Sequence, residues 1–108
     1  MATVLCAQRA LTDLFEAWLF AAENNLAAAD KMLDTIGREA KSLALQPLMG
    51  RLRPELARNV RSWPTSTPHI LFYVVKDPSV VVLLVLHHAQ DLARIAFRFF
   101  GTIRVRLH

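Results

Sequence analysis

The first half of the chain carries apolar residues at the spacing of two amphipathic helices. A short apolar stretch at residues 3–6 precedes them and predicts an edge strand. Residues 8–23 and 26–45 then place large apolar side chains every three or four positions, which predicts two helices. Only a short break separates them, and Asn25 can cap the second helix, so we expect an antiparallel helical hairpin. The apolar stripe of the first helix consists of Leu11, Leu14, Phe15, Trp18, Leu19 and Ala22.

The second half of the chain has the patterning of β-strands. Residues 60–64, 69–75 and 80–87 predict three strands, and residues 76–79 have the composition of a hairpin turn. The two longer strands are apolar on both faces, so we expect both faces of the sheet to be covered. A short C-terminal helix is expected at residues 91–97. The chain thus predicts an α+β fold, with an N-terminal helical hairpin packed on a small, mainly antiparallel β-sheet.

The composition indicates a small domain with surplus apolar surface. At 108 residues we expect one domain at residues 1–96, followed by a basic C-terminal tail at residues 97–108. Hydrophobic residues make up 54% of the sequence, yet no apolar run approaches the roughly 20 residues that a membrane helix needs. We therefore expect a cytoplasmic protein whose apolar surface is covered by a partner. The single cysteine, Cys6, cannot form an internal disulfide, and we expect it to be buried.

Positive charge is concentrated in the second half of the chain. Residues 1–49 carry four cations and six acids, whereas residues 50–108 carry nine cations and three acids. Eight of those nine cations are arginines, and arginine binds carboxylates and phosphates through a planar fork of donors. The pattern fits an acidic or phosphate-bearing partner, and it fits equally well a solvated basic face that keeps the protein soluble.

The arginine-rich stretch between positions 51 and 61 holds the main candidates for contact with a partner. In the box at residues 53–56, Glu55 can pair with an arginine and Leu56 can reach the core, so we expect a structural role. Arg61 opens a predicted strand and could bind a phosphate group bidentately. The alternative for Arg61 is a salt bridge to Glu55 or Asp91.

Candidate catalytic and metal-binding groups are few. Ser62, His87 and Asp91 could form a hydrolytic triad on paper, but no nucleophile elbow or oxyanion loop accompanies them. A simpler role for Asp91 is to cap the last helix, close to His87. The four histidines and Cys6 lack the spacing of zinc ligands. We therefore expect no catalytic residue, no metal and no cofactor.

Several short motifs follow one another across residues 3–95. After the predicted hairpin come Pro47, Gly50-Arg51, Arg53-Pro54-Glu55-Leu56, Arg61-Ser62, Phe72-Tyr73 and Leu86-His87 with Asp91. None is specific alone, but in this order and spacing they resemble the ParE branch of the ParE/RelE toxin superfamily. The chain departs from the ParE pattern at Asn59 and His88, where glycine is common, and at Gln90, where arginine is common.

The resemblance implies the toxin component of a type II toxin–antitoxin (ParDE-like) module, a kind of module that serves plasmid stabilization. Such a toxin is held in a hetero-oligomer by a cognate ParD-like antitoxin, and it inhibits DNA gyrase, which blocks replication and causes growth arrest. We expect contact with nucleic acid only through the antitoxin or gyrase. The expected target-binding residues are Arg51, Arg53, Arg58, Arg61 and His87.

The antitoxin is expected to cover apolar surface of the helical hairpin and an exposed sheet edge. Helix-in-groove packing and strand addition are the two modes that suit these surfaces. The expected antitoxin-binding residues are Leu14, Trp18, Leu33 and Ile36, with Trp18 as the anchor and some of the set packing on the sheet instead.

Two other functions stay open. A RelE-like, ribosome-dependent mRNA endoribonuclease needs a base, an acid and phosphate-binding arginines. Relatives that cut RNA carry basic residues on the sheet and a late tyrosine or histidine, whereas Tyr73 lies mid-strand here and Val74 and Leu84 occupy the basic positions. This favours a protein inhibitor of gyrase over an enzyme. The third hypothesis is that the chain is a non-toxic remnant, which retains the fold and acts as a binding module.

Overall fold

Residues 2–88 of the computed structural model are described, and they form two helices and five strands. In chain order the elements are β1 (Val4–Cys6), α1 (Gln8–Ala22), α2 (Leu26–Leu45), β2 (Arg51–Leu52), β3 (Arg61–Pro64), β4 (His69–Lys76) and β5 (Ser79–His87). The helix expected at residues 91–97 and the tail at residues 97–108 lie outside the described residues. The helical hairpin and the sheet are both present, so the predicted α+β fold is confirmed.

The five strands form one mixed sheet in the order β1-β5-β4-β3-β2. The β2–β3, β3–β4 and β4–β5 pairs are antiparallel, and the edge strand β1 runs parallel to β5. β2 was not predicted, because it lies within the stretch 51–58 that reads as a connector. A two-residue strand is too short to show a period, so its pairing with β3 follows from the fold rather than from local pattern.

α1 packs on the sheet mainly through small side chains rather than through the expected stripe of large ones. Ala10 is fully buried, and Ala17 and Ala21 follow it on the same side of the helix at half-buried positions. Leu14 also reaches the core. The members of the expected stripe that remain exposed are Leu11, Phe15 and Leu19. The predicted helix is therefore right, but its sheet-facing side is rotated away from the stripe.

α2 begins after Asn25, whose side chain accepts a hydrogen bond from a backbone N–H of the first turn at 3.0 Å, as predicted. Ile36 and Leu43 on its inner side are buried against the sheet. The indole N–H of Trp18 in α1 donates to Asp30 at 2.8 Å and ties the two helices together. Among the described residues, no helix is long and apolar enough to cross a membrane.

Both faces of the central strands are covered, as their apolar sequences predict. The helices cover one face, to which β4 contributes Leu71 and Tyr73. The connector between β2 and β3 covers the other face. The buried residues of this second face are Leu56, Ala57, Val60, Phe72, Leu84 and Leu86.

A β-bulge changes the face that β5 presents. Phe72 pairs with Leu84 and Tyr73 pairs with Val82, so Leu83 is an extra residue without a partner in β4. Val82 and Val85 therefore both pack under the helices although they lie three residues apart. Because of the bulge, the continuous apolar sequence of β5 contributes buried side chains to the cores on both faces of the sheet.

Cys6 at the end of β1 is exposed, so the expectation of a buried cysteine is wrong. Desolvation by its partial burial nevertheless raises the pKa of the thiol. A raised pKa keeps the sulfur protonated at neutral pH, and a protonated thiol is a poor nucleophile.

Candidate partner-binding surfaces

One buried tyrosine holds the turn between α2 and β2. The Tyr73 hydroxyl donates to the Pro47 carbonyl at 2.8 Å and accepts the Gly50 N–H at 2.9 Å. Burial raises the pKa of Tyr73 above its ordinary value, although the Gly50 N–H and the charge of Arg61 act in the opposite direction. The hydroxyl is therefore protonated at neutral pH and makes both hydrogen bonds.

Gly50 is required at this turn because Tyr73 fills the space beside its Cα. A Cβ at residue 50 would lie 2.7 Å from Cε1 of Tyr73 and 2.9 Å from the Ser62 carbonyl oxygen, and it would also meet the Tyr73 hydroxyl. These separations are shorter than van der Waals contact, and the atoms involved are buried in a packed interior. Gly50 and Tyr73, which belong to two separate sequence motifs, thus form one structural contact.

Arg61 binds the same turn. Its Nη1 donates to the Gly50 carbonyl at 2.7 Å and to the Leu48 carbonyl at 3.3 Å. These carbonyl contacts give Arg61 a structural role, and the phosphate contact expected from the sequence stays a prediction. Asp91 lies outside the described residues. In the described structure Arg61 is a structural residue of the turn.

The other predicted target-binding arginines differ in how much of each side chain is open to a partner. Arg51 and Arg58 are exposed. Nε of Arg53 lies 3.1 Å from a Glu55 carboxylate oxygen, in an ion pair whose N–H direction is not aligned for a hydrogen bond. Leu56 packs on the second face of the sheet, which confirms the structural role expected for this box. Arg51 and Arg58 are the members of the set that the fold leaves most available.

His87 lies beside two other imidazoles at the end of the sheet. Its ring meets His69 edge-on with centroids 5.3 Å apart, and it stacks on His88 at 4.7 Å. Burial lowers the pKa of His69, and positive charge on His87 and His88 lowers it further. Nδ1 of His69 is buried and has no hydrogen-bond partner within the described part of the chain. A lowered pKa keeps His69 neutral at pH 7.

A cavity of about 500 Å³ opens between α1 and these imidazoles. On its rim the Asp13 carboxylate accepts the Val85 N–H at 2.9 Å and pairs with Arg9 at 2.9 Å. β1 accompanies β5 only as far as Val82, and no described strand pairs with residues 83–87 on that side. Asp13 therefore covers one backbone donor of an open sheet edge. The cavity is lined by Asp13, Glu16, Ala17, Phe20, Ala21, Met32, Pro68, His69, Val85 and His87.

The predicted antitoxin-binding residues are mostly inner residues of the hairpin. Ile36 is 3% exposed and packs in the core, so it is a core residue rather than a contact residue. Leu14 is half-buried against the same core. Trp18 and Leu33 are half-buried, and Trp18 is held by its hydrogen bond to Asp30. Trp18 and Leu33 are therefore only partly accessible to a partner.

The large apolar residues that the core does not use form a stripe on α1. Leu11, Phe15 and Leu19 are spaced by four and share one face, and Phe15 is 60% exposed. The apolar periodicity of the sequence predicted that these three side chains are buried, because the prediction considered only their size and hydrophobicity. The alanines at positions 10, 17 and 21 were the available signal that a different side packs closely on the sheet.

Ser62 and His87 lie on opposite faces of the sheet, which removes the hydrolytic triad considered from the sequence. Ser62 pairs with Phe72 on the face that the connector covers, whereas His87 pairs with His69 and lines the cavity under α1. Within residues 2–88 no group of three or more histidine, cysteine or acidic side chains could hold a metal ion.

Asn59 adopts a φ of 64°, in the left-handed region that glycine favours. Asparagine tolerates this region better than most other residues, because its short side chain can hydrogen-bond locally. The departure from the ParE pattern at this position therefore preserves the backbone turn that a glycine would make.

Two helices packed on one face of a five-stranded mixed sheet make the described residues a small α+β domain, with the α1 stripe, Arg51 and Arg58 exposed. A solved structure described as "Chromosomal ParDE TA system from P. aeruginosa" has this fold, with a TM-score of 0.67, 20% identity, and coverage of 81% of this chain and 96% of that chain. The family described as ParE toxin of type II toxin-antitoxin system, parDE, matches residues 4–92. The chain therefore belongs to the ParE toxin family. No curated protein matches the sequence.

Proposed function

We propose that this chain is the cytoplasmic toxin of a type II toxin–antitoxin module, that a ParD-like antitoxin neutralises it, and that its target is DNA gyrase. Membership of the ParE toxin family supports the toxin role. The observation that carries the antitoxin contact is the exposed stripe of Leu11, Phe15 and Leu19. Contiguous apolar side chains of this size mark an interaction site on a soluble protein.

The antitoxin would contact the hairpin through an amphipathic segment laid along this stripe, with Trp18 and Leu33 at its border. A strand of the antitoxin would add to β5 at residues 83–87, where the described sheet has an open edge. Such a strand needs the Val85 N–H, so the Asp13 carboxylate would have to release it. This edge contact would lie beside the cavity under α1.

Gyrase inhibition is favoured over RNA cleavage because the groups nearest to an RNA-cleaving set have structural partners. Tyr73 is fully buried with both hydrogen bonds of its hydroxyl used within the protein. Arg61 donates to the carbonyls of the α2–β2 turn. Val74 and Leu84, which pack on the same face of the sheet, supply no charge to it. The exposed Arg51 and Arg58 would supply the basic contact with gyrase.

The target is tested by inducing this chain in growing cells and then assaying the purified protein against gyrase supercoiling and ribosome-dependent mRNA cleavage. We expect growth arrest, lost supercoiling and intact mRNA. Cleavage of mRNA combined with normal gyrase supercoiling would instead support the hypothesis of a ribosome-dependent endoribonuclease. Normal growth, with antitoxin binding retained, would identify a non-toxic remnant.

The antitoxin contact is tested with the double variant Phe15→Ser and Leu19→Ser, co-expressed with the cognate antitoxin. Because both side chains are exposed, the variant should fold normally but lose at least about tenfold in antitoxin affinity. Leu48→Ser, on an exposed leucine in the turn that follows α2, is the matched control. Equal loss in both variants would place the antitoxin contact elsewhere than the α1 stripe.

A further inference from the structure

The turn between α2 and β2 exposes large apolar side chains away from the α1 stripe. Leu45 is 76% exposed and Leu48 is 70% exposed, and both lie near the C-terminal end of α2. α1 runs antiparallel to α2 with Trp18 beside Asp30, so at about 1.5 Å per residue Leu45 lies about 12 Å along α2 beyond the level of Leu11, the nearest residue of the stripe. The surface, named here the turn surface, consists of Leu45, Leu48, Met49 and Leu52.

The backbone of the turn surface is fixed from the inside. Carbonyl groups of Pro47, Leu48 and Gly50 accept hydrogen bonds from the side chains of Tyr73 and Arg61. The Gly50 N–H is bound by the Tyr73 hydroxyl as well. With its polar groups bound inward, the turn holds its leucines outward in one arrangement. Apolar groups held in this way bind with a smaller loss of conformational entropy.

A groove of about 380 Å³ lies directly beside the turn surface. Glu39 at its edge accepts hydrogen bonds from the Trp63 indole and from Ser66. Burial alone would raise the pKa of Glu39, but these hydrogen bonds and the nearby Arg38 outweigh it and lower the pKa below the ordinary value. The groove is lined by Glu39, Ser42, Leu45, Gln46, Met49 and Trp63.

The charge around the turn surface is positive. Residues 38–52 contain three cations, Arg38, Lys41 and Arg51, and one acid, Glu39, which stays ionised at neutral pH because its pKa is lowered, so three cations against one acid leave a net charge of +2. Lys41 lies four residues before Leu45 on the same exposed face of α2. A partner that covers the leucines therefore meets cations at their border, and acidic side chains complement them.

We infer that the turn surface is a second docking site, separate from the α1 stripe, for an acidic protein segment that inserts apolar side chains. In its biological role this inference rests on the proposed function, because the docked segment would then belong to the toxin's target. The turn surface suits protein rather than RNA, since its own side chains are aliphatic and offer no stacking platform for bases, and the one aromatic ring of the adjoining groove, Trp63, is half-buried with its N–H bound to Glu39. A target bound here leaves the α1 stripe open to the antitoxin.

The probe for this site is a fluorescein-labelled amphipathic helical peptide with leucine on one face and glutamate on the other. The matched control peptide carries lysine in place of every glutamate. We expect the acidic peptide to bind at least about tenfold more tightly, with an advantage that shrinks as salt is added. Equal binding of the two peptides would overturn the inference, and so would displacement of the acidic peptide by a single-stranded RNA of equal length.

Leu48→Ser locates the site, and Leu26→Ser is its control because Leu26 is another highly exposed leucine, at the opposite end of α2. We expect Leu48→Ser to weaken binding of the acidic peptide by about tenfold or more, and Leu26→Ser to change it by less than about twofold. Both variants should keep the thermal midpoint of the unaltered chain, because both side chains lie in solvent. The reverse order of effects would overturn the inference.

Growth arrest and antitoxin binding separate this inference from the proposed function. If the unaltered chain does not arrest growth, the proposed function fails, while the peptide measurements still decide whether the turn surface docks an acidic segment. If the unaltered chain does arrest growth, Leu48→Ser should relieve the arrest and keep antitoxin affinity. Full arrest by Leu48→Ser, or loss of its antitoxin binding, would overturn the assignment of the turn surface to the target.

Discussion

Replacing Tyr73 with phenylalanine tests whether one hydroxyl holds the α2–β2 turn in place. The ring of phenylalanine fills the same buried space, so the change removes the oxygen and little else. That oxygen donates to the Pro47 carbonyl at 2.8 Å and accepts the Gly50 N–H at 2.9 Å. Tyr73 is 0% exposed, so water does not reach the hydroxyl in place of either partner.

The expected loss follows from the two hydrogen-bonding groups that the variant leaves behind. The Gly50 N–H is buried, and an unsatisfied buried donor costs about 1–3 kcal/mol. The Pro47 carbonyl is partly buried, and loss of its hydrogen bond costs about 0.5–1.5 kcal/mol. We therefore expect Tyr73→Phe to lower the free energy of unfolding by about 2–3 kcal/mol. In a domain of this size that corresponds to a fall of about 10–20 °C in the thermal midpoint.

The measurement is urea unfolding of the free chain, followed by circular dichroism, with Ser42→Ala as the control. Ser42 also donates its hydroxyl to a backbone carbonyl, but it lies exposed on α2, where water replaces the lost partner. We expect Ser42→Ala to stay within about 0.5 kcal/mol of the unaltered chain. The acidic peptide should also bind Tyr73→Phe several-fold more weakly, because the leucines remain but the turn is less ordered.

A loss below about 0.5 kcal/mol, equal to that of Ser42→Ala, would refute this reasoning. It would mean that the turn keeps its shape without the hydroxyl. An unchanged peptide affinity combined with a large loss of stability would show that Tyr73 stabilises the core but does not order the turn surface.

Three further predictions concern single positions. Gly50→Ala should destabilise the chain by about 3 kcal/mol or more in urea unfolding, because the added Cβ would meet the Tyr73 ring and the Ser62 carbonyl. A variant as stable as the unaltered chain would show that the turn can move to make room for the Cβ. Asn59→Ala should cost about 1 kcal/mol in thermal unfolding while Asn59→Gly stays within about 0.5 kcal/mol, since the φ of 64° penalises a Cβ; equal costs would contradict this. Burial, with charge on neighbouring imidazoles, lowers the pKa of His69 in the folded chain, so the folded chain binds fewer protons than the unfolded one. The stabilising contribution of neutral His69 is therefore complete above the ordinary imidazole pKa of about 6.5, and it is lost as pH falls through the lower folded pKa. The free energy of unfolding, measured between pH 7.5 and pH 5, should depend less on pH in His69→Asn than in the unaltered chain. An unchanged pH profile would assign the dependence to other groups.

The two apolar surfaces are related to the way the helical hairpin packs. α1 packs its alanines on the sheet and leaves Leu11, Phe15 and Leu19 exposed. The C-terminal end of α2 carries Leu45, the first residue of the turn surface. One helix therefore provides the proposed antitoxin contact, and the end of the other provides the proposed target contact. This separation makes the two binding events independently testable by single substitutions.

Local patterns in the sequence determined the secondary structure well. The second helix was predicted at its observed bounds, because Asn25 caps it and the apolar period continues to Leu45. The hairpin turn at residues 76–79 was also predicted, because Asp77-Pro78 has turn composition and lies between two apolar runs. These features depend on neighbours within a few residues, and such neighbours are visible in the chain itself. The order of the ParE-like motifs likewise indicated the family before any fold was known.

Contacts between residues far apart in the chain were decided only by the tertiary structure. The rotation of α1 depends on how closely its alanines approach the sheet, and the bulge at Leu83 cannot be read from an unbroken apolar run. Arg61 binds carbonyls 11 and 13 residues away, and Tyr73 reaches back 23 and 26 residues to the same turn. Periodicity reports which side chains share a face, but it carries no information about what that face meets. Packing decides which apolar residues are buried, and it leaves the others as surfaces for partners.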